Sequence, residues 1–314
     1  PVSLLGGVKK PSSFMEKAIG KEVYDSFLDL VKPDIIHVHT LMGIHKEFFE
    51  IAKNRSIPII FTTHDYFGIC PKVNLIDDSG NICENFRGGE KCVTCNTNAY
   101  SLPLIYGMQS HLYKFLKENK VVKKLRVSKK KKTRNSIRTI KNSKVPRNKE
   151  DLDLKKEYVR LRNYYIEILH IFDEIHFNSE VSKLEYAKHI LPRGEILHIT
   201  HSDIKDNRML KNYNEDEPLK IGFIGPLDEY KGFPLLRKSL LRLLEKDKKN
   251  WHLHLYGDDR SLDLSEKDES HISAHGRYTH NELKTIFSEI DVLVVPSVWK
   301  ETFGFIGLEA VSYG

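Results

Sequence analysis

Hydrophobic and polar positions follow two different periods along the chain. Short runs rich in β-branched residues predict strands, whereas longer stretches with apolar residues three and four positions apart predict helices. The predicted strands occupy residues 34–39, 58–63, 175–179, 195–200, 220–225, 251–257, 271–276 and 291–297. The predicted helices occupy residues 44–54, 160–175, 184–190, 234–246 and 280–290.

Strands that alternate with helices predict an α/β protein with parallel sheets covered on both faces. The pattern pauses at the acidic, proline-containing stretch "NYNEDEPLK" and restarts beyond it. We therefore predict two Rossmann-like, doubly wound domains that face a cleft. The first would span residues 1–207 and the second residues 219–314, with residues 208–218 as the linker.

Polar residues and glycines follow several of the predicted strands. In open α/β sheets, ligands bind beyond the carboxyl ends of the strands. The residues at or just after these ends are His39, His64, Gly225, Gly257, Gly276 and Ser297. His37 shares a strand face with His39, and both are predicted to line the core or the cleft.

The segment "ETFGFIGLEAVSYG" predicts a turn that leads into a helix near Phe305. Backbone N–H groups at Phe303 and Gly304 would favour an anion at the helix start, and glycine permits a close approach. Glu301 and Glu309 stand on either side, and a carboxylate can accept hydrogen bonds from a vicinal diol. A nucleotide sugar, with its diphosphate between two hydroxyl-rich groups, fits this pattern.

These residues resemble motifs of a known enzyme family. "PSVWKETFGFIGLEAVSYG" is similar to the E-x7-E segment of the family 4 retaining glycosyltransferases (glycosyl transferases group 1), which have the GT-B fold. "FIGPLDEYKGFPLL" resembles the family's glycine-rich stretch followed by Lys-Gly, and "THDYFGICP" resembles its histidine-bearing loop. The three motifs occur in the family's order across most of the chain.

The resemblance implies a role for each matching residue. Glu309 would hold the ribose hydroxyls of the donor, and Lys231 would neutralise its diphosphate. Glu301 and His64 would act at the donor sugar as catalytic residues, His64 from the opposite domain. The remaining donor-binding positions are Gly225, Thr302, Phe303 and Gly304.

The family's chemistry implies transfer of a hexose from a UDP- or GDP-sugar, with retention of configuration and without a divalent metal or other catalytic cofactor. The acceptor would be a saccharide or a lipid-linked molecule bound by the domain of residues 1–207. The pathway would be cell-surface polysaccharide or glycolipid synthesis.

The chain departs from the family pattern in three places. Pro226 stands where the family usually has arginine, and Gly6 and Gly7 lie too close to the strand at residues 34–39 to form its glycine-rich loop. The family also continues beyond Gly314. We therefore expect an internal piece of a longer enzyme, incomplete at both ends.

Composition adds one strongly basic segment to this picture. Residues 114–149 contain sixteen lysines and arginines and one acid, a local charge of +15, so the rest of the chain carries −8. Such a run is a solvated arm or a contact for an anionic membrane surface. Residues 129–149 lack aromatic side chains for base stacking, so no nucleic-acid partner is expected. We expect a cytoplasmic protein, with peripheral attachment at the inner face of the membrane as one option.

All four cysteines lie within a loop at residues 64–100, here called the cysteine loop. They are Cys70, Cys83, Cys92 and Cys95. Four thiolates fit a structural zinc site, which is the favoured interpretation. An iron–sulfur cluster and free or transiently oxidised thiols stay open.

Other functions are also compatible with parts of this sequence. A glycoside hydrolase needs carboxyl groups that face each other about 5–9.5 Å apart, which suits two glutamates on one turn and helix poorly. A GT-B epimerase of nucleotide sugars and a non-catalytic polyanion-binding protein stay as alternatives. Glu301, Glu309 and Lys231 could also be ordinary helix-start residues, and His64 a structural one.

Overall fold

The computed structural model describes residues 7–111, 149–208, 216–259 and 270–314, together with residues 113, 115, 214 and 262. The chain divides into two compact units. The first comprises residues 1–79, 83–177 and 183–196, and the second comprises residues 80–82, 178–182 and 197–314. Each unit contains a parallel sheet with helices, so the α/β prediction is confirmed.

The first unit is built on a three-stranded parallel sheet in the order β1-β2-β3. The strands are β1 (Ile36–Val38), β2 (Ile59–Thr63) and β3 (Glu174–Phe177). The helices are α1 (Glu22–Val31), α2 (Lys46–Asn54), α3 (Glu90–Cys95), α4 (Leu102–Gln109), α5 (Lys149–Ile171) and α6 (Glu180–Ala187), of which residues 180–182 fall in the second unit. Short 3₁₀ helices lie at Pro11–Phe14 and Arg87–Gly89. Phe49 and Phe172 pack edge to face in the core, with ring centroids 5.1 Å apart.

The second unit has a four-stranded parallel sheet in the order β6-β5-β4-β7. The strands are β4 (Leu219–Ile224), β5 (Trp251–Tyr256), β6 (Ile272–Gly276) and β7 (Val292–Leu293). The helices are α7 (Phe233–Glu245), α8 (Leu283–Glu289) and α9 (Phe305–Tyr313). Two 3₁₀ helices, Glu229–Lys231 and His280–Glu282, precede α7 and α8.

Successive residues of β4 and β5 enter two separate clusters, as the strand period of two requires. One cluster joins the sheet to α7 and contains Ile221, Phe223, Phe233, Leu236, Leu240, Trp251, Leu253, Leu255 and Ile272. The other joins it to α8 and contains Ile224, Tyr256, Leu283, Ile286, Phe287 and Ile290. Helices therefore cover both faces of this sheet, which is the doubly wound arrangement.

One aspartate in each unit fixes how the parallel strands are paired. Asp173, just before β3, accepts the N–H of Ile59 at 2.8 Å and donates its own N–H to the Ile59 carbonyl at 2.9 Å. Asp291, just before β7, accepts the N–H of Lys220 at 2.8 Å and donates to the Lys220 carbonyl at 2.7 Å. In each sheet an aspartate side chain thus clamps the start of the neighbouring central strand.

The structure corrects one predicted strand and shortens another. Residues 195–200 form a single bridge, between Phe177 and Ile196, rather than a strand. The N–H groups of Ile175 and Phe177 do donate to carbonyls of this segment, at Arg193 and Glu195, but the pairing stops there. The strand predicted at residues 291–297 is regular over β7 alone.

Residues 197–207, assigned to the first domain from sequence, group with the second unit. The reason is local, because Asn207 donates its N–H to the Ser312 carbonyl of α9 at 2.8 Å. Most of the basic segment at residues 114–149 and of the linker at 208–218 lies outside the described residues. In the described part of the chain, every helix is too short or too polar to cross a lipid bilayer.

Replacing Asp173 by alanine should lower the free energy of unfolding by about 1–3 kcal/mol, because the fully buried Ile59 would lose the acceptor for its N–H. Asp173→Asn keeps a side-chain oxygen and should lose less. Asp153→Ala, which removes an exposed pair with Lys156 on α5, is the control and should change little. Urea denaturation of the three variants checks this, and equal stability of Asp173→Ala and Asp153→Ala would contradict it.

Candidate functional site

The turn after β4 is held by contacts with the turns after β5 and β6. Gly225, with φ 146°, donates its N–H to the Tyr256 carbonyl at 2.9 Å. Gly257 has a backbone N–H that donates to the Gly276 carbonyl at 2.7 Å. Asp258 accepts the N–H of Leu227 at 3.0 Å. The carboxyl ends of three strands therefore form one connected edge.

Lys231 and Glu301 form one ion pair. The Lys231 Nζ lies 2.6 Å from Glu301 Oε1, and the Ser297 hydroxyl donates to the same oxygen at 2.7 Å. The two charged side chains are 25% and 23% exposed, so the pair is mostly shielded from water. The Lys231 ammonium also lies over the ring of Trp299, 5.0 Å from its centroid. The motifs predict separate roles for these two residues and do not predict their bond.

Backbone packing places Lys231 beside Glu301. Gly232, with φ 76°, follows the lysine, and a Cβ there would collide with the Pro296 carbonyl. Val298 donates its N–H to the Tyr230 carbonyl at 2.9 Å. The 3₁₀ helix Glu229–Lys231 is therefore docked directly on the loop that follows β7, and only glycine permits this approach.

The start of α9 has the form that the sequence predicted. Gly304 is the residue before the helix, in the left-handed region with φ 87°. Thr302 is buried, and the rings of Phe303 and Phe305 pack edge to face at 4.8 Å. Glu309 lies one turn into α9. The predicted cradle residues Thr302, Phe303 and Gly304 thus lie between the two glutamates along the chain.

A group of polar side chains surrounds Glu309, and no motif in the sequence predicted this group. His201 Nε2 lies 3.4 Å from Glu309 Oε1, and His280 Nδ1 lies 4.0 Å from it. His280 Nε2 also approaches Asp203 Oδ2 at 3.1 Å. Burial first, and then the Glu309 charge, raise the pKa of the neighbouring Tyr278 hydroxyl. Glu309 itself is only 15% exposed, so its carboxylate sits in a polar recess rather than on an open surface.

His201, Asp203 and His280 could offer ligand atoms to a cation, because these atoms lie within 4.8 Å of one another. Among the described residues this is the one such set of histidine, cysteine, aspartate and glutamate side chains. The sequence contained no motif that linked residues 201 and 280. The one signal in the sequence was the position of His280, which lies shortly after the end of β6.

In the first unit, His64 belongs to a row of imidazoles. His39 Nδ1 and His64 Nε2 are 2.9 Å apart, and their rings stack with centroids 5.2 Å apart. His37 continues the row, and its ring centroid lies 4.1 Å from that of His39 and 5.8 Å from that of His176. Burial, and then repulsion from His39 and His37, lower the pKa of His64. His37 and His39 are exposed, so they line the surface and not the core.

The four cysteines also lie in the first unit. All are free thiols, and Cys70 and Cys92 are buried. All four line one cavity together with residues of α5 and α6.

A histidine titration followed by NMR should give His64 a midpoint below 6.5, since burial and two like-charged neighbours oppose its protonation. His39→Ala removes one neighbour and should raise the midpoint, which stays below 6.5 because burial persists. His45→Ala, a more distant imidazole bonded to the Glu16 carbonyl, should leave it unchanged.

Because the folded pKa of His64 is the lower one, the unfolded state binds this proton first. The stability that depends on neutral His64 is therefore present above pH 6.5 and is lost as the pH falls from there through the folded pKa. A His64 midpoint at or above 6.5 would contradict this interpretation of the row.

Comparison with known proteins connects the second unit to an enzyme family. Residues 218–314 match the family model described as "Glycosyl transferases group 1". An uncharacterized 41.2 kDa protein in the cps region of Klebsiella pneumoniae is 32% identical over 104 residues, which are 33% of this chain and 28% of that protein.

Sucrose-phosphate synthase from Thermosynechococcus elongatus superposes with a TM-score of 0.46 and 14% identity, over 92% of this chain and 56% of that one. The chain thus spans little more than half of the synthase and less than a third of the Klebsiella protein. The part of the chain that holds Lys231, Glu301, Gly304 and Glu309 is the part that matches the group 1 glycosyltransferase model.

Proposed function

We propose that the protein is a retaining, metal-independent glycosyltransferase that moves a hexose from a UDP- or GDP-sugar to a saccharide or lipid-linked acceptor. The observation that carries the proposal is the ion pair of Lys231 and Glu301, which lies just before the glycine-led start of α9 on a chain segment that matches glycosyl transferases group 1.

Glu309 would bind the ribose of the nucleotide. Its carboxylate is the acceptor group of a recess that also contains His201 and His280. A carboxylate can accept two hydrogen bonds from the neighbouring hydroxyls of a ribose, and bonds to a charged acceptor are stronger than neutral ones. The two imidazoles would then stand beside the nucleoside.

Lys231 would neutralise the diphosphate. Its ammonium bonds Glu301 at 2.6 Å, which fixes it at the loop after β7. Negative charge grows on the diphosphate as the sugar bond breaks, and a fixed cation stabilises that charge without having to move. Pro226, in the turn after β4, has no positive charge to offer the diphosphate. Lys231 would therefore be the residue of the segment after β4 that neutralises it.

Glu301 would hold hydroxyls of the donor sugar through its carboxylate. The oxygen Oε1 already takes bonds from Lys231 and Ser297, which fix the carboxylate plane. The neutral imidazole of His64 would hydrogen-bond a further hydroxyl of the sugar. In such a site the acceptor hydroxyl attacks from the side of the leaving phosphate, and that phosphate takes its proton.

The pathway proposal has a separate basis. The name of the Klebsiella relative places it in a cps region, which supports a role in cell-surface polysaccharide synthesis. The basic segment at residues 114–149 would attract an anionic membrane surface, where a lipid-linked acceptor is found. Both points lead to a cytoplasmic enzyme at the inner face of the membrane.

Nucleotide binding should depend on Glu309. A UDP- or GDP-sugar at a hundred times its dissociation constant should stabilise the protein by about 2.7 kcal/mol, measured as a thermal shift. Glu309→Gln should abolish the shift, because the neutral amide is a weaker acceptor for the ribose hydroxyls. Glu245→Gln, an exposed change at the end of α7, is the control. An unchanged shift in Glu309→Gln would remove the ribose assignment.

Turnover should depend on the ion pair more than binding does. Glu301→Gln and Lys231→Met should each lower kcat by about 10²–10³, because each removes a fixed charge at the reacting groups. The measurement is release of nucleoside diphosphate from the sugar nucleotide, with Lys284→Met as an exposed lysine control. Added Mg²⁺ or Mn²⁺ should leave the rate unchanged. A rate that requires either ion would contradict the metal-independent mechanism.

A further inference from the structure

The cysteine loop, residues 64–100, encloses a cavity of about 30 Å³ in the first unit. All four cysteines of the chain line it, from three separate positions in the loop. Cys92 and Cys95 are one helical turn apart on α3, which places their side chains on the same face. The Cys70 N–H donates to the Tyr66 carbonyl across a tight turn, and the Cys83 N–H donates to the Leu75 carbonyl eight residues earlier, each at 2.7 Å.

A buried arginine faces these thiols. Arg162 of α5 lines the same cavity and is only 9% exposed. Its guanidinium lies over the Phe86 ring, 4.0 Å from the ring centroid. The cavity lining has more cations than carboxylates, namely Lys72, Lys91, Arg162 and Lys188 against Glu84 and Glu185. Negative charge at the thiols would offset this excess beside the buried Arg162.

A bound divalent ion holds its cysteine ligands as thiolates. Four thiolates around one such ion carry a net charge of −2, which would complement Arg162.

The backbone of the cysteine loop has an unfavourable conformation at three residues, which its surroundings have to hold in place. Val73, Leu75 and Arg87 have positive φ angles of 65°, 55° and 49°. Such values are unfavourable for residues other than glycine, most of all for a β-branched valine, and persist only where the surroundings enforce them. Apart from the helix α3 and a short 3₁₀ turn, this stretch has little regular structure to do so.

We propose that Cys70, Cys83, Cys92 and Cys95 bind a single zinc ion and that Arg162 is its buried counter-charge. In the described structure no three of these sulfurs lie within 4.8 Å of one another, so binding would draw the loop inward. The small cavity fits one ion better than a four-iron cluster. Four thiolate ligands leave no open coordination position, so the ion would be structural.

The ion would position His64. Cys70 follows it by six residues, and the turn between them is closed by the bonds of Ile69 and Cys70 to the Tyr66 carbonyl. The Tyr186 hydroxyl holds the Asp65 carbonyl at 2.8 Å from the other side. Fixing Cys70 would therefore fix the chain on which His64 stands.

Elemental analysis of the purified protein should find one zinc per chain, released when the thiols are titrated with a mercurial reagent. Cobalt substitution should give the intense absorption bands of a tetrahedral thiolate site. Cys83→Ser and Cys95→Ser, at the two half-buried cysteines, should each reduce the zinc content to below half. His280→Ala removes one of the three possible cation ligands of the second unit, His201, Asp203 and His280. It is the control and should retain one zinc per chain.

The counter-charge is tested by competition with a chelator. Arg162→Met should weaken zinc binding about 10–100-fold, as expected for a group that supports metal ligands, and Arg162→Lys should restore most of the affinity. Equal affinity in Arg162→Met would overturn the role of Arg162. Metal-free protein with four free thiols, disulfides, iron with sulfide, or zinc lost in His280→Ala but retained in the cysteine variants would each overturn the zinc site.

Discussion

The pairing of an aspartate with a strand start is the constraint on which the rest of the structure depends. In parallel sheets a shift of one residue moves every side chain to the opposite face. Asp173 and Asp291 prevent that shift by bonding both backbone groups of Ile59 and Lys220. Once the register is fixed, the strands end together, and the residues that follow them meet at one edge of each sheet.

The two units then use buried positive charge in different ways. Lys231 is paired with a carboxylate in the same unit, and a diphosphate would share the ammonium with Glu301. Arg162 has the Phe86 ring and the cysteine cavity for neighbours, and the proposed zinc–thiolate site would offset its charge. In these proposals the lysine would serve a ligand that exchanges, and the arginine an ion that stays bound.

Much of this could be predicted from sequence, because the signals are local. The periods of apolar residues located the seven strands that the described residues form, and the carboxyl-end rule placed His64 and Gly225 directly after strands. The bond between Lys231 and Glu301 could not be predicted, since it joins residues 70 positions apart through the docking of Gly232. His201 and His280 were missed for the same reason. Residues 195–200 have strand-like alternation, but the pairing with β3 ends at Ile196.

The clamp formed by Asp173 also bears on how the chain can change in length. It joins residues 114 positions apart, whereas the Asp291 clamp joins residues 71 apart. The entropy of closing a loop grows only with the logarithm of its length, about 0.6 kcal/mol for each doubling. The longer crossover therefore costs the first sheet only about 0.4 kcal/mol more than the shorter one costs the second. A surface insertion of a few dozen residues between β2 and β3 would therefore change the closure entropy of this crossover by only a few tenths of a kcal/mol.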